Sequence, residues 1–391
     1  MRTEEELRQE AVRRWQRGDQ LSTIARVLKR SRPWVYKWIR RYDPDNPSWY
    51  REQSRRPHHH PRQLRPAIEQ QILDTRQTLI QQGLFYGAQA VQWELDDVLT
   101  DAMPSLSTIN RVLARHQCTE RVSSPKPRPV YPVIAAHRPN DCHQADIVGP
   151  CYLAGGMRFH SLNVVDVVTH RCAVQTLWSC SSQHIVDAYW AAWQRLGMPR
   201  HLQVDNEMSY YGSPRYPRAM GALIRLCLHH RIQPWFIPVR EPWRNGLVEY
   251  FNRHYRQKFL ARVTIRQHQE LQGAALTFEA RHNTRYRYSV LNSHTPMQVL
   301  EHCNHRLRFP MVAQPPRHPL EKPRTGTYHV VRFIRSDGML DIFSERFALP
   351  ACAQHEYVVA TVDVKEQRLK VTHPSGHVTE FDYILRPKSQ T

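Results

Sequence analysis

The segment 238–259, PVREPWRNGLVEYFNRHYRQKF, constrains this chain more than any other. It reads as a proline-punctuated loop opening into a helix, with Leu247, Phe251, Tyr255 and Phe259 in an apolar stripe at four-residue spacing. One face must therefore pack against a core. In helical phase the other face carries Glu249 together with Asn245, Asn252, Arg253 and Arg256. A lone carboxylate among arginines is ordinarily a surface ion pair. Two apolar runs upstream change that reading. Residues 143–150, HQADIVGP, and 200–207, RHLQVDNE, each place an aspartate, Asp146 and Asp205, where a strand is predicted. An ionised group in a buried strand is costly unless it is paired or binds a metal. Carboxylates delivered by two strands and a helix could hold two divalent cations, the arrangement that phosphodiester chemistry needs.

The segments HQADIVGP, LQVDNE and RNGLVEYFNRHYRQKF, with RHNTRYRYSVLNSHTPMQVL downstream, resemble the DDE transposases of bacterial insertion sequences. The catalytic core of that family is shared with retroviral integrases and has a ribonuclease H-like fold. The resemblance covers residues 140–300 well and the flanks more loosely. It implies that Asp146, Asp205 and Glu249 are the catalytic, metal-binding acids, served by Mg²⁺ or Mn²⁺ with two ions per site. It implies cleavage of transposon ends to leave a 3′-hydroxyl, which then attacks a target phosphodiester. The partners it implies are double-stranded DNA and further copies of the chain in a dimer or tetramer on that DNA, with room for an ATPase helper protein. Arg244, Asn245, Asn252, Arg253 and Arg256 are the expected phosphate and base contacts beside the metals. The interval from Asp205 to Glu249 is longer than is typical of retroviral integrases, and the extra residues fall in the Tyr/Pro/Gly-rich stretch 208–218. Glu241 competes for the third position, but it precedes a proline in a loop. Two other readings share these residues: a catalytically inactive regulator descended from a transposase, and a ribonuclease H-type nuclease.

Charge agrees with a polyanionic partner, since 55 Lys and Arg against 35 Asp and Glu leave a formal charge of +20. A hydrophobic share of 41% is enough for ordinary globular cores. No run of eighteen apolar residues is present to span a membrane. The start, MRTEEELRQE, lacks the apolar segment of a signal peptide, so a cytoplasmic, nucleoid-associated protein is expected. Eight cysteines are scattered without a Cys-x-x-Cys pair, which indicates neither a zinc ribbon nor a disulfide framework. His58, His59 and His60 lie between prolines and read as a solvated loop.

The expected fold is multidomain. Residues 1–45 read as a helix-turn-helix of three helices (4–17, 21–29 and 31–42), the last exposing Arg32, Lys37, Arg40 and Arg41 for the major groove. A linker, 46–65, leads to a second helix-turn-helix-like unit, 66–118. Its helices span 67–81, 88–99 and the segment from 104 to 115, the last exposing Ser107, Asn110, Arg111 and Arg115. A proline-rich linker (119–139) precedes an α/β core (140–303) with a mixed five-stranded sheet, predicted as strands 143–148, 157–168, 171–178, 201–205 and 234–239. Helices at 182–196, 218–230, 245–260 and 267–283 accompany it. Asp166, on the second strand, is expected to be a structural acid. After a linker (304–325), period-two patterning at 328–334, 339–347, 357–364, 368–372 and 378–384 predicts a small SH3-like barrel over 326–391.

Overall fold

The computed structural model describes residues 3–52, 64–96, 103–119, 130–212 and 218–385. The stretch His58–His60, part of the 119–139 linker and residues 213–217 lie outside them. The chain divides into two compact units, Met1–Arg65 and Pro66–Thr391.

The first unit is the expected three-helix arrangement: α1 (Glu4–Gln16), α2 (Leu21–Leu28) and α3 (Arg32–Arg41). Local chemistry sets each boundary. Thr3 and Glu6 form a reciprocal capping box on α1, Lys29 turns left-handed to close α2, and Ser31 accepts from the Trp34 amide with Pro33 in the first turn of α3. Ala11, Ile24, Leu28 and Val35 fill the core. Trp38 is buried beside them, with the Arg8 guanidinium 4.2 Å from its ring centroid.

In the second unit the helices α4 (Pro66–Gln81), α5 (Ala88–Asp96) and α6 (Leu106–Arg115) belong to the same compact body as the sheet. Phe85, in the turn between α4 and α5, lies 4.7 to 5.1 Å from the rings of His254, Tyr286 and Tyr288. The Tyr286 hydroxyl donates to the Gly83 carbonyl at 2.6 Å.

The sheet begins with β1 (Cys142–Tyr152), β2 (Arg158–Asp166) and β3 (Cys172–Leu177), all antiparallel. After α7 (Ser182–Leu196), β4 (His201–Val204) lies parallel to β1. The short α8 (Met208–Tyr211), which sequence patterning missed, and α9 (Ala222–His229) lead to β5 (Gln233–Phe236), parallel to β4. Then come α10 (Gly246–Tyr255), α11 (His268–Arg285) and α12 (Pro296–His302). Successive residues of one strand feed opposite layers: Val164 joins α7 and α9 in one core, whereas Val165 joins α10 and α11 in the other. Phe251, Tyr255 and Phe259 are buried in that second core as the apolar stripe predicts. Each such burial contributes about 2–3 kcal/mol. Helix α10 is shorter than the expected 245–260. It starts after a 3-10 turn at Pro242–Asn245 and ends in a π-helical turn at Arg256–Leu260.

The order β3-β2-β1-β4-β5 is a mixed sheet consistent with a ribonuclease H-like fold. It is not a separate five-stranded sheet. The outer edge of β5 is taken by β6 (Thr327–Phe333) in parallel, pairing Trp235 with His329 and Phe236 with Val330. An apolar edge left bare would template aggregation, and β6 covers it.

The expected barrel is also corrected. β9 (Tyr357–Asp363), β10 (Arg368–Thr372) and β11 (Val378–Asp382) continue antiparallel from β6, giving one nine-stranded sheet that ends at β11. The predicted single strand 339–347 is a hairpin, β7 (Met339–Ile342) and β8 (Glu345–Ala348). Phe343 and Ser344, both at positive φ, make its two-residue turn. Neither residue is a usual left-handed former, so no turn signal marks the break.

Candidate active site

Asp146 lies mid-way along β1, opposite Asn163 of β2. Asp205 follows the last residue of β4, the parallel neighbour of β1, and Glu249 sits in the first turn of α10. Side chains from the sheet seat that helix. The Gln144 carbonyl oxygen accepts from the amides of Leu247 at 2.9 Å and Val248 at 3.2 Å, satisfying donors that a helix start leaves open. Asn245 donates to the Ala145 carbonyl at 2.9 Å, and Gln203 donates to the Arg244 carbonyl at 2.9 Å. Glu249 is thereby delivered beside Asp146.

A buried relay fixes Asp146 itself. Ser161 donates to Asn163, Asn163 donates to Asn252 at 2.7 Å, and Asn252 donates to the Asp146 carboxylate at 2.7 Å. A second network holds the neighbour of Asp205. Arg332 of β6 is buried and donates to Asn206 Oδ1 at 2.8 Å, to the Ile237 carbonyl at 3.1 Å and to the Asp341 carbonyl at 2.9 Å. Asn206 in turn donates to the Ile237 carbonyl at 2.6 Å. Sequence reading missed Arg332. Its one signal is an arginine inside the apolar strand TYHVVRF.

Burial raises the Asp146 pKa against the opposing influence of the Ile147 amide, Arg256 and Asn252. Asp205 is pushed up to about 7, first by burial and then by the charges of Asp146, Glu207 and Glu249. Glu249 is raised by burial and then by Asp146, while Arg256 and Arg253 pull it down. The charge of Asp146 thus acts on both of the others. Among the described residues, none of the three has an ion-pair partner within 4.0 Å. Among those residues, too, no group of three His, Cys, Asp or Glu side chains is placed to hold a metal ion.

The expected contact residues differ in exposure. Asn245 and Asn252 are each 2% exposed, with their amides used inside the protein as described. Arg244 pairs with Glu241 at 2.9 Å, donates to the Tyr357 hydroxyl at 2.7 Å and stacks over Tyr131 and Tyr357. That cluster also accounts for Glu241, which is a structural acid. Asp166 accepts from the amides of Asn140 and Thr169, both at 2.9 Å, as a structural acid should. Arg253 is exposed on α10 and Arg256 in the π-helical turn that follows it. On α3, Arg32, Lys37 and Arg40 are exposed, whereas Arg41 is half-buried over Trp38. On α6, Ser107, Asn110 and Arg111 are exposed, and Arg115 is paired with Glu69 at 2.9 Å.

Residues 2–47 match the model of a homeodomain-like, helix-turn-helix domain. No curated protein matches the chain. Similar solved structures include the catalytic core domain of HTLV-2 integrase in complex with magnesium, in its trimeric form. It is 19% identical, covers 41% of this chain and 97% of that one, and has a TM-score of 0.33. The simian T-cell lymphotropic virus intasome in complex with PP2A regulatory subunit B56 gamma is 15% identical over 80% of this chain and 97% of that one, at 0.37. The catalytic core domain of BIV integrase is 15% identical over 41% and 94%, at 0.32. Among the described residues no helix is long and apolar enough to cross a membrane.

Proposed function

We propose that the chain is a DDE-type DNA transposase or integrase of a bacterial insertion sequence, cutting transposon ends and joining them to target DNA. The observation that carries this reading is that Asp146 lies on β1, Asp205 directly follows β4, its parallel neighbour, and Glu249 opens the helix that side chains of both strands seat. Asp205 bears the charge of both other acids, and among the described residues it has no counter-ion within ion-pair distance. Such a set is electrostatically costly by itself and suits hard divalent cations, which take oxygen donors. Asp146, Asp205 and Glu249 would hold Mg²⁺ or Mn²⁺. Bound there, two such ions supply charge at the attacking and leaving oxygens of an in-line displacement.

The protein's own part is positioning. Asn252 holds the Asp146 carboxylate through one of its oxygens. Arg332 holds the residue after Asp205. Arg253 and Arg256 offer exposed guanidinium groups to phosphates of the strand that enters the site. In the first unit, α3 presents Arg32, Lys37 and Arg40 as a recognition helix for the element's ends. Transposon ends, target duplex and further copies of the chain are its partners on this reading.

The test is to incubate the protein with the flanking ends of its element and Mg²⁺, then look for 3′-end nicks and strand-transfer products. Sequence-specific binding without any metal-dependent product would favour the inactive regulator. Cleavage indifferent to end sequence would favour the general nuclease.

A further inference from the structure

On the flank of α10, one residue round from Glu249, a cleft of about 300 Å³ opens between this helix and the start of α5. Its walls are aromatic: Tyr86 and Trp93 from the helical layer, Tyr250 and His254 from α10, and Tyr288 after α11. Tyr86 and Tyr250 are exposed at the rim, whereas Tyr288 is buried, so the rings line a slot rather than pack it shut. The Tyr288 hydroxyl is already engaged with His282 at 2.7 Å, which leaves its ring as a wall. The His254 imidazole is packed between Phe85 and Tyr250, whose ring centroids lie 4.7 and 4.4 Å away, and both its nitrogens are buried, so it adds a ring to the wall. Lys258 lies 4.3 Å over the Tyr86 ring, and Arg253 is exposed one turn from Tyr250. Among the described residues no carboxylate lines the cleft.

Flat aromatic faces and positive charge without negative charge describe the complement of a nucleotide. The volume is at the small end of ligand pockets, room for a single ring system. From this we infer that the cleft receives one unstacked nucleobase of a DNA strand passing along α10. The base lies between the aromatic faces, and its phosphate faces Lys258 and Arg253. Paired bases cannot enter, so the site takes a base from a single-stranded or locally opened segment. The inference rests on the proposal that this chain handles DNA, and it adds a specific subsite beside the acids.

The experiment compares the full-length protein's affinity for a short fluorescein-labelled single strand and for the same strand carrying abasic sites, without divalent ions and at moderate salt. Stacking on an aromatic site typically strengthens binding enough that the parent should prefer the base-bearing strand by roughly tenfold. Trp93→Leu and Tyr250→Leu keep apolar volume but remove the stacking faces. Each should erase the preference while leaving affinity for the abasic strand unchanged, which also reports an intact fold. Should Trp93→Leu lose both affinities, Tyr250→Leu decides, because its exposed ring supports little core. Equal binding of the two strands by the parent, or a preference that survives Tyr250→Leu, overturns the inference. The two proposals fail separately. Metal-dependent end cleavage without a base preference keeps the enzyme and removes the pocket, whereas a base preference without cleavage keeps the pocket and removes the enzyme.

Discussion

Replacing Asp205 with asparagine should stabilise the folded chain at pH 8 and abolish metal-dependent cleavage together. In the fold the Asp205 carboxyl is pushed from 3.8 up to about 7 by burial, then by Asp146, Glu207 and Glu249. A tenfold change in proton affinity corresponds to about 1.36 kcal/mol, so the ionised side chain costs the fold up to roughly 4 kcal/mol at pH 8. Asparagine removes that charge. It keeps the Oδ1 acceptor that receives the Glu207 amide at 3.3 Å. The sign follows from a raised carboxyl pKa. Relative to the unfolded chain, the proton-bound form is favoured below the unfolded value near 4, and that advantage is lost as pH rises to the folded value near 7. The variant's gain should therefore be absent near pH 4, grow between pH 4 and 7 and be full at pH 8. Urea unfolding followed by tryptophan fluorescence, at pH 4.5 and pH 8 without divalent ions, measures it. A gain of about 2 kcal/mol or more at pH 8 that shrinks in acid fits the electrostatics. Adding Mg²⁺ at pH 8 should stabilise the parent and leave the variant unmoved. A variant equally or less stable than the parent at pH 8, or a gap indifferent to pH, would refute the reasoning.

Three further outcomes are expected. Glu249→Gln should eliminate strand transfer, while Glu241→Gln, which touches only the cluster of Arg244 and Tyr357, should retain most of it; a dead Glu241→Gln with an active Glu249→Gln reverses the assignment. Glu279 is buried, forks onto Arg195 at 2.8 and 3.1 Å and accepts from the Val174 amide at 2.8 Å, so Glu279→Ala should cost about 2–3 kcal/mol in urea unfolding by leaving the Val174 amide and the Arg195 Nε without an acceptor; a loss under 1 kcal/mol would show the pair to be idle. Burial holds His143 and His282 down at about 3, so both stay neutral in the fold at pH 5, and their stabilising contribution, full above the unfolded value near 6.5, falls away as pH drops below it, by about 4 kcal/mol for the two at pH 5. Ring-nitrogen NMR shifts should show neutral imidazoles at pH 5, and ordinary titration of either near 6.5 contradicts the placement.

By itself the sequence determined the local chemistry and the order of parts. Apolar periodicity placed the three helices of the first unit, with a capping serine and a first-turn proline marking the start of α3, because those signals lie within a few residues of the boundary they set. The four-residue stripe of Leu247, Phe251, Tyr255 and Phe259 placed one face of α10 in a core, and acid-bearing apolar runs located the strands that carry Asp146 and Asp205. What lay beyond sequence was decided by partners far away in the chain. Asn245 and Asn252 share the helical phase of Glu249, and phase alone offered them to DNA. Only Ala145, Asn163 and Asp146 across the interface turned them inward. Arg244 is cationic in any sequence reading, yet Tyr357, more than a hundred residues later, closes a cluster around it. The C-terminal strands have the period-two pattern of a barrel. That pattern specifies a buried face and says nothing of which edge a strand will pair with, so the open flank of β5 drew β6 and made one nine-stranded sheet. Through that pairing Arg332 reaches Asn206, a contact that no local signal could reveal, because hydrogen-bond geometry between distant segments exists only once the sheet has assembled.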